Sequence, residues 1–391
     1  MNQYEKCLIF ATIICPFTVL RIGFIGVGEI LILFLFLFNL KKLDITSKYV
    51  FSRFWFIFLL CLFLGHLYHL FILDYTYGTL DTASFDIAAY FMILISCLTI
   101  EGLVNTNKVD IYKILRYVFL YLSSILVCLY ILSLFWDTIA GMPLRYYGHF
   151  APLVNNLHQI SMIISPLIFL GILIYFREKD WLIKILCIFF CLLLIKMAFE
   201  TGSFKAYLGV LGGLCFFIAF RILRLLNKKI CFILFFAIAI IGIIYFLNEY
   251  EFIIKYFLNI FQEEDVADGR SNLYSIAINT LKASPVLGFG PGPHLYYDAD
   301  FWDAHQTILS LLLQSGIVGG CLFLFSSAYY IKTIRQNYLI LSATIPILVY
   351  MLGGDILRRL PIWLLLIFFY YLVKQDLFKK ENPELDRKSV V

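Results

Sequence analysis

The chain has 391 residues, of which 62% are hydrophobic and 15% charged, with 40 phenylalanines. A soluble domain is about 45–50% apolar, so this much apolar surface exceeds what one water-facing core can bury and calls for lipid as solvent. The net charge of +5 says little as a sum; its distribution along the chain is what carries information.

Apolar runs predict membrane spans at 7–20, 22–40, about 53–73, 87–104, 114–135, 159–176, 181–199, 206–223, 230–247, 305–331, 338–354 and about 361–373. Most are long enough for the ~30 Å hydrocarbon layer. A β-barrel would show alternating segments of about ten residues instead. No small-residue cleavage site follows the first run, so it reads as a span and not as a signal peptide. The expected fold is an all-α integral membrane protein, a single polytopic domain over 1–391 with about 12 transmembrane helices. One long polar segment, 248–304, separates the ninth and tenth spans, and a polar tail covers 374–391.

Lys41, Lys42 and Lys48, then Lys108 and Lys113, Arg177 and Lys179, Arg224, Lys228 and Lys229, and Lys332 and Arg335 fall in alternate connections, on one side with the tail. By the positive-inside rule that side is cytoplasmic. Both termini are then inside, and 248–304 is a large periplasmic loop. Within it, 248–262 and 270–283 have apolar residues at helical spacing and predict short amphipathic helices, the second capped by Asp268 or Ser271 and stopped by Pro285. Gly288-Phe289-Gly290-Pro291-Gly292-Pro293 predicts a tight turn back to the tenth span.

The outer face is poor in basic residues, so those placed there stand out: Arg21, Arg145, Lys205, Lys255, Arg270, Lys282, Arg358 and Arg359. Singly, each is explained by interfacial snorkelling. As a set they suit a phosphate or pyrophosphate, which the arginine fork matches in a bidentate way. The ten cysteines lie in apolar runs without a zinc-like cluster and read as small buried hydrophobes.

Of the six histidines, His66 and His69 share a face near the outer end of the third span and suit internal hydrogen bonding. His149, His158 and His294 lie in or beside outer loops without a clear partner set. His305 stands where Asp300-Phe301-Trp302-Asp303-Ala304 turns into the apolar tenth span. The positive end of a helix dipole disfavours imidazolium and so favours the neutral ring that can accept a proton. Asp300 or Asp303 could orient the other ring nitrogen. Gly316, Gly319 and Gly320, deeper in the span, permit close helix approach. A purely structural histidine at the boundary fits the same features.

His305-Gln306, nine residues, Gly316, two residues and Gly319 together resemble the signature of the O-antigen ligase family. Gly269-Arg270 followed by an amphipathic helix and Pro285-Val-Leu-Gly288-Phe-Gly290 is similar to that family's outer-loop segment. Thr201-Gly202-Ser203-Phe204-Lys205 resembles its Thr-x-Ser-Arg-Gly segment, with Phe204 where the family has arginine. The resemblance implies a GT-C-like, inverting, metal-independent glycosyltransferase without cofactor, in the bacterial inner membrane with its site on the periplasmic face. The donor would be a glycan on undecaprenyl pyrophosphate. The acceptor would be lipid A-core for a ligase of lipopolysaccharide biosynthesis, or a second lipid-linked repeat unit for an O-antigen polymerase. His305 would be catalytic, Arg270, Lys205 and Arg145 would hold the pyrophosphate, and Gln306, Gly316 and Gly319 would support the motif. Membrane lipid is an expected partner and nucleic acid is not. A polysaccharide transporter or flippase fits less well, because the charges gather at one face and no internal repeat is visible.

Reporter fusions at about residues 45, 110, 178, 226, 334 and 385 are expected to report cytoplasm, and fusions at about 80, 145 and 275 periplasm. A periplasmic report from residue 385 would overturn this layout.

Overall fold

The computed structural model describes residues 1–23, 25–40, 49–73, 80–154, 156–225, 267–297, 300–304 and 306–381, with backbone only at 72–73, 80–82, 157, 224–225, 267–272, 297, 300–301 and 381. Among them the chain forms twelve α-helices. In order these are α1 Gln3–Ile14, α2 Val27–Asn39, α3 Val50–Tyr68, α4 Leu80–Asn105, α5 Ile111–Ser133, α6 Leu157–Arg177, α7 Trp181–Glu200, α8 Phe204–Leu225, α9 Ala267–Leu281, α10 Thr307–Ile334, α11 Tyr338–Gly353 and α12 Leu360–Glu381. Eight helices are long and apolar enough to cross a membrane, and α2 and α11 are shorter apolar helices. The chain is therefore an all-α multi-pass membrane protein. The predicted span 230–247 and the predicted amphipathic helix 248–262 lie outside the described residues.

Polar residues set many of the helix boundaries. Asn2 and Glu5 form a capping box at α1, and Asp110, Asn156, Asp180, Gln306 and Asn337 cap α5, α6, α7, α10 and α11, each satisfying a backbone N–H that lipid could not. The N-terminus of α3 has no cap of its own. Its Phe51 and Ser52 amides donate to the buried Glu101 carboxylate of α4 at 2.9 Å each, and Tyr371 Oη of α12 donates to the same group at 2.8 Å. An anion from a neighbouring helix thus fills the positive end of α3.

Several boundaries differ from the sequence reading. The runs 7–20 and 22–40 predict two spans, and α1 and α2 have 12 and 13 residues, about 18–20 Å at 1.5 Å per residue. The hairpin β1 (Arg21–Ile22) and β2 (Ile25–Gly26) begins at the junction of the two runs and takes the first residues of the second, which becomes helical only at Val27. Asp268 and Ser271 lie inside α9 and do not cap it, since the helix starts at Ala267. Residues 374–381 are the last turns of α12, bound to α6 through the Arg177–Asp376 ion pair, and not a free tail.

The largest departure concerns 284–290. This turn is no simple connection, because it is spliced into a break in α10. Gly316 has φ 60° and ψ −163° in mid-helix, which frees backbone groups on both sides. Phe289 N and Gly290 N donate to the carbonyls of Leu313 and Gln314, both at 2.8 Å, while Ile317 N and Val318 N donate to Pro285 O and Val286 O at 2.9 and 3.3 Å. A broken helix is tolerated at membrane depth only when such groups find partners. The glycines of this region therefore permit a loop, not a second helix, to approach closely: a Cβ on Gly316 would meet Val286 O at 2.2 Å, and one on Gly65 of α3 would meet Leu287 O at 2.6 Å.

Gly316→Ala is accordingly expected to lower stability by about 3 kcal/mol or more, through left-handed strain and collision with Val286. Gly212→Ala, whose added Cβ meets its neighbour at an ordinary 3.4 Å, serves as the control. Thermal denaturation of both variants in detergent checks this, and equal melting temperatures would refute it.

Candidate functional site

One end of the bundle gathers the start of α10, the α11–α12 connection, the α1–α2 hairpin, the first turns of α4 and α6, and the α7–α8 turn. The chain reaches it through the hairpin of β3 (Leu295–Tyr297) and β4 (Asp300–Trp302). Gln306 then caps α10, its Oε1 accepting from Leu309 N at 3.0 Å. His305, immediately before the cap, lies outside the described residues, but both of its flanks are held. Thr307 donates its amide and its hydroxyl to Gly354 O at 3.0 and 2.7 Å and accepts from Ile356 N at 3.1 Å. On the other flank, Asp303 Oδ2 accepts from Arg358 at 2.5 Å.

Arg358 is the hub of this end. Its guanidinium also donates to Asp86 Oδ1 of α4 at 2.7 Å and lies 4.0 Å from Asp355. The other Asp86 oxygen accepts from Gly292 N at 3.1 Å. One arginine thus joins α4, the glycine-rich turn, the residues before His305 and the α11–α12 connection. Burial acts to lower the Arg358 pKa, but Asp303, Asp86 and Asp355 outweigh it and hold the guanidinium well above its ordinary value. Burial pushes the Asp355 carboxyl up, with Arg358 opposing. Asp303, expected to orient the histidine, is engaged by Arg358 through Oδ2. The side chain of Asp300 is not among those described.

Above this hub, α9 packs Leu273 and Ala277 against Phe289, Leu295, Ala304 and Leu313. Arg270 belongs to the first turn of α9, three residues before Leu273, and its backbone alone is described. Ala304 precedes His305, so this small core ties the helix carrying Arg270 to the segment carrying the histidine. His294 Nε2 lies 2.8 Å from Gly290 O, and Phe289 meets the ring of the buried His69 edge-on. Burial, with His66 adding, lowers His294 to about 4 against the opposing Gly290 hydrogen bond and Asp303 charge. It is therefore a neutral, structural histidine at neutral pH.

Lys205 is buried in the first turn of α8. Just before it, Gly202 has φ +65° and leaves no room for a Cβ beside the His149 ring, 2.5 Å away. Ser203 Oγ lies 3.2 Å from both His158 Nδ1 and Tyr350 Oη, and Tyr350 donates to Ser161 at 2.5 Å. Tyr350 is one turn before Gly354, which receives Thr307, so α11 connects the Lys205 turn to the start of α10. Arg145 is placed differently. It donates to Ser133 O and Gly148 O at 2.8 Å each and pairs with Glu200 at 3.4 Å, which makes it a brace of the 138–150 hairpins.

A cavity of about 390 Å³ runs from Ile308 and Ile356, beside this polar end, to Phe51, Tyr330 and Tyr370 towards the other. Its walls are almost entirely apolar and come from α3, α10, α11 and α12. Sequence reasoning missed Asp86 and Asp355 and the pairing of both with Arg358. A charge at the head of an otherwise apolar run was the only available signal.

Residues 188–324, about a third of the chain, match the family model described as O-antigen ligase. The match supports the O-antigen ligase and polymerase superfamily, in agreement with the motif resemblance, and it spans Lys205, Arg270, His305, Gln306, Gly316 and Gly319. No curated protein matches the chain.

The Arg358 hub predicts strong coupling. Arg358→Ala leaves the fully buried Asp86 uncompensated and is expected to cost about 3–5 kcal/mol. Adding Asp86→Asn should restore part of that loss. A double-mutant cycle read by thermal unfolding checks this; strict additivity of the two changes would contradict the pairing.

Proposed function

We propose that this multi-pass membrane protein, with residues 188–324 in the O-antigen ligase family, transfers a glycan from undecaprenyl pyrophosphate to a sugar hydroxyl of lipid A-core. The reading places the reaction at the periplasmic face of the bacterial inner membrane, with both termini cytoplasmic. The observation that carries it is the fixed position of the residues around His305, between the Asp303–Arg358 pair and the Thr307–Gly354 hydrogen bonds, inside the segment that matches the family.

In this reading His305 accepts the proton of the acceptor hydroxyl as its oxygen attacks the anomeric carbon of the donor. The bond from that carbon to the pyrophosphate oxygen breaks from the opposite side, so the configuration inverts. Arg270 and Lys205 stabilise the charge developing on the leaving pyrophosphate, the electrostatic work that preorganised cations do best in a water-poor site. Arg145, with its donors directed at backbone and Glu200, is assigned to the scaffold. The apolar cavity below Ile308 suits the hydrocarbon of a lipid-borne substrate. Phe204, where the family has arginine, favours polymerase as the second reading, in which the acceptor is another lipid-linked repeat unit.

His305→Ala should preserve expression and membrane insertion and cost about 10²–10⁴-fold in rate, the usual loss of a general base. Arg270→Ala should abolish transfer, Arg270→Lys should recover only part of it, and Lys205→Arg should be tolerated because it restores the fork. The readout is complementation of a null strain, scored as banded surface polysaccharide with protein level measured in parallel. A well-expressed His305→Ala that restores full banding would refute the assignment.

A further inference from the structure

Arg21 and Arg359, two of the outer basic residues, have no role in the chemistry above. The structure brings them together with Arg358 around a pocket of about 270 Å³, whose wall includes Thr18, Gln159, Phe85 and Glu29. The pocket is lined from α2, α4, α6 and the α1–α2 connection beside the Arg358 hub, and no residue of α9 lines it among those described.

The polar groups on this wall differ in how far they are satisfied. Arg358 is matched by Asp86, Asp303 and Asp355. Glu29, which also lines the pocket, has Oε2 accepting from Gly26 N at 2.8 Å as part of the α2 cap. Thr18 Oγ1 donates to Gln159 Oε1 at 2.6 Å, which leaves the Gln159 amide NH₂ as a donor. Arg21 rests over the Phe85 ring at 6.0 Å. The buried Nε of Arg359 has no hydrogen-bond partner among the described residues. Burial and then the Arg358 guanidinium lower the Arg359 pKa; Asp355 and Asp303 oppose this and Arg21 adds to it. Among the described residues the pocket wall thus sets three guanidiniums, Arg21, Arg358 and Arg359, against one carboxylate, Glu29, an excess of positive charge that an added anion would offset. A buried unpaired donor costs about 1–3 kcal/mol, more when charged.

We propose that the Arg21–Arg359 pocket is a second phosphoryl-binding subsite, separate from Arg270 and Lys205, that holds a phosphate group of the acceptor glycolipid. The assignment to acceptor rests on the preceding reading, which gives the donor pyrophosphate to Arg270 and Lys205. The arginine forks and the Gln159 amide supply the donors that a phosphate monoester requires. The volume lies just below the range of about 300–1,000 Å³ typical of ligand pockets, which suits a head group and not a whole glycan.

The binding test is independent of transfer. The full-length protein in phosphatidylcholine nanodiscs containing a minor fraction of phosphatidic acid is examined by native mass spectrometry. The wild type should retain phosphatidic acid selectively, and inorganic phosphate should displace it, because the phosphoryl group and not the acyl chains is recognised. Arg21→Gln and Arg359→Gln should each weaken retention about tenfold or more, while Arg270→Ala leaves it intact. Equal retention by wild type and both glutamine variants, or loss in Arg270→Ala alone, overturns the subsite. Resistance to inorganic phosphate would assign retention to the acyl chains and overturn it as well. Arg21 is exposed on a hairpin, so Arg21→Gln decides the matter if Arg359→Gln does not fold. In the transfer assay Arg21→Gln should raise KM for a phosphorylated acceptor with kcat and donor KM unchanged; a change in donor KM instead would overturn the acceptor assignment.

Discussion

The ionic hub at Arg358 is the constraint on which the polar end of the molecule depends. Three carboxylates from three separate stretches converge on one guanidinium, and one of them, Asp86, also holds the glycine-rich turn through Gly292. In a bundle surrounded by lipid such a cluster is stable only if its members arrive together, because any one left alone would be a buried charge without a partner. That requirement fixes the register of α4 against the α11–α12 connection and, through Asp303, the approach of the chain to α10. The residues on the two sides of position 305, Asp303 and Thr307, are each tied by these contacts.

The break in α10 works alongside this hub. Gly316 interrupts the helix where the 284–290 turn supplies the missing hydrogen bonds, so the loop segment is part of the membrane core. Phe289 from this turn then enters the same small core as Leu273 of α9 and Ala304. The helix that carries Arg270 is thereby coupled through packing to the segment that carries the histidine. The Gly-x-x-Gly element gains a physical meaning from this: Gly316 permits the break, while Gly319 leaves room for the Ser315 hydroxyl, which an added Cβ would meet at 1.9 Å.

Much of the helical layout was legible because a lipid-solvated chain writes its spans as long apolar runs, and the caps at Asn156, Asp180 and Asn337 mark where several of them begin. The His305–Gly319 motif was legible for the same local reason, being contiguous in sequence. What could not be read were relations between distant segments. Asp86 and Arg358 are 272 residues apart, and the sequence places both near polar connections without saying that they meet. The turn at 288–293 carries turn residues in either arrangement, so glycine and proline alone could not distinguish a surface connection from one spliced into a helix. The late start of α2 was hidden because Ile22, Ile25 and Gly26 are apolar by composition whether they belong to a span or to the hairpin. The contacts of Arg145 with Ser133, Gly148 and Glu200 were likewise not legible, because charge and position in a connection do not say which groups a guanidinium meets.

The proposed chemistry gives each part of this end a task. The histidine handles one proton, Arg270 and Lys205 stabilise the departing pyrophosphate, and the acceptor is received beside Arg21 and Arg359. The most direct measurement uses the purified protein in nanodiscs with a lipid-linked glycan donor and a glycolipid acceptor, following the linkage formed and the lipid released. The account predicts a new glycosidic bond of inverted anomeric configuration, formed in step with release of polyprenyl pyrophosphate. Retention of configuration, or movement of the donor across the membrane with no glycosidic bond formed, would contradict it.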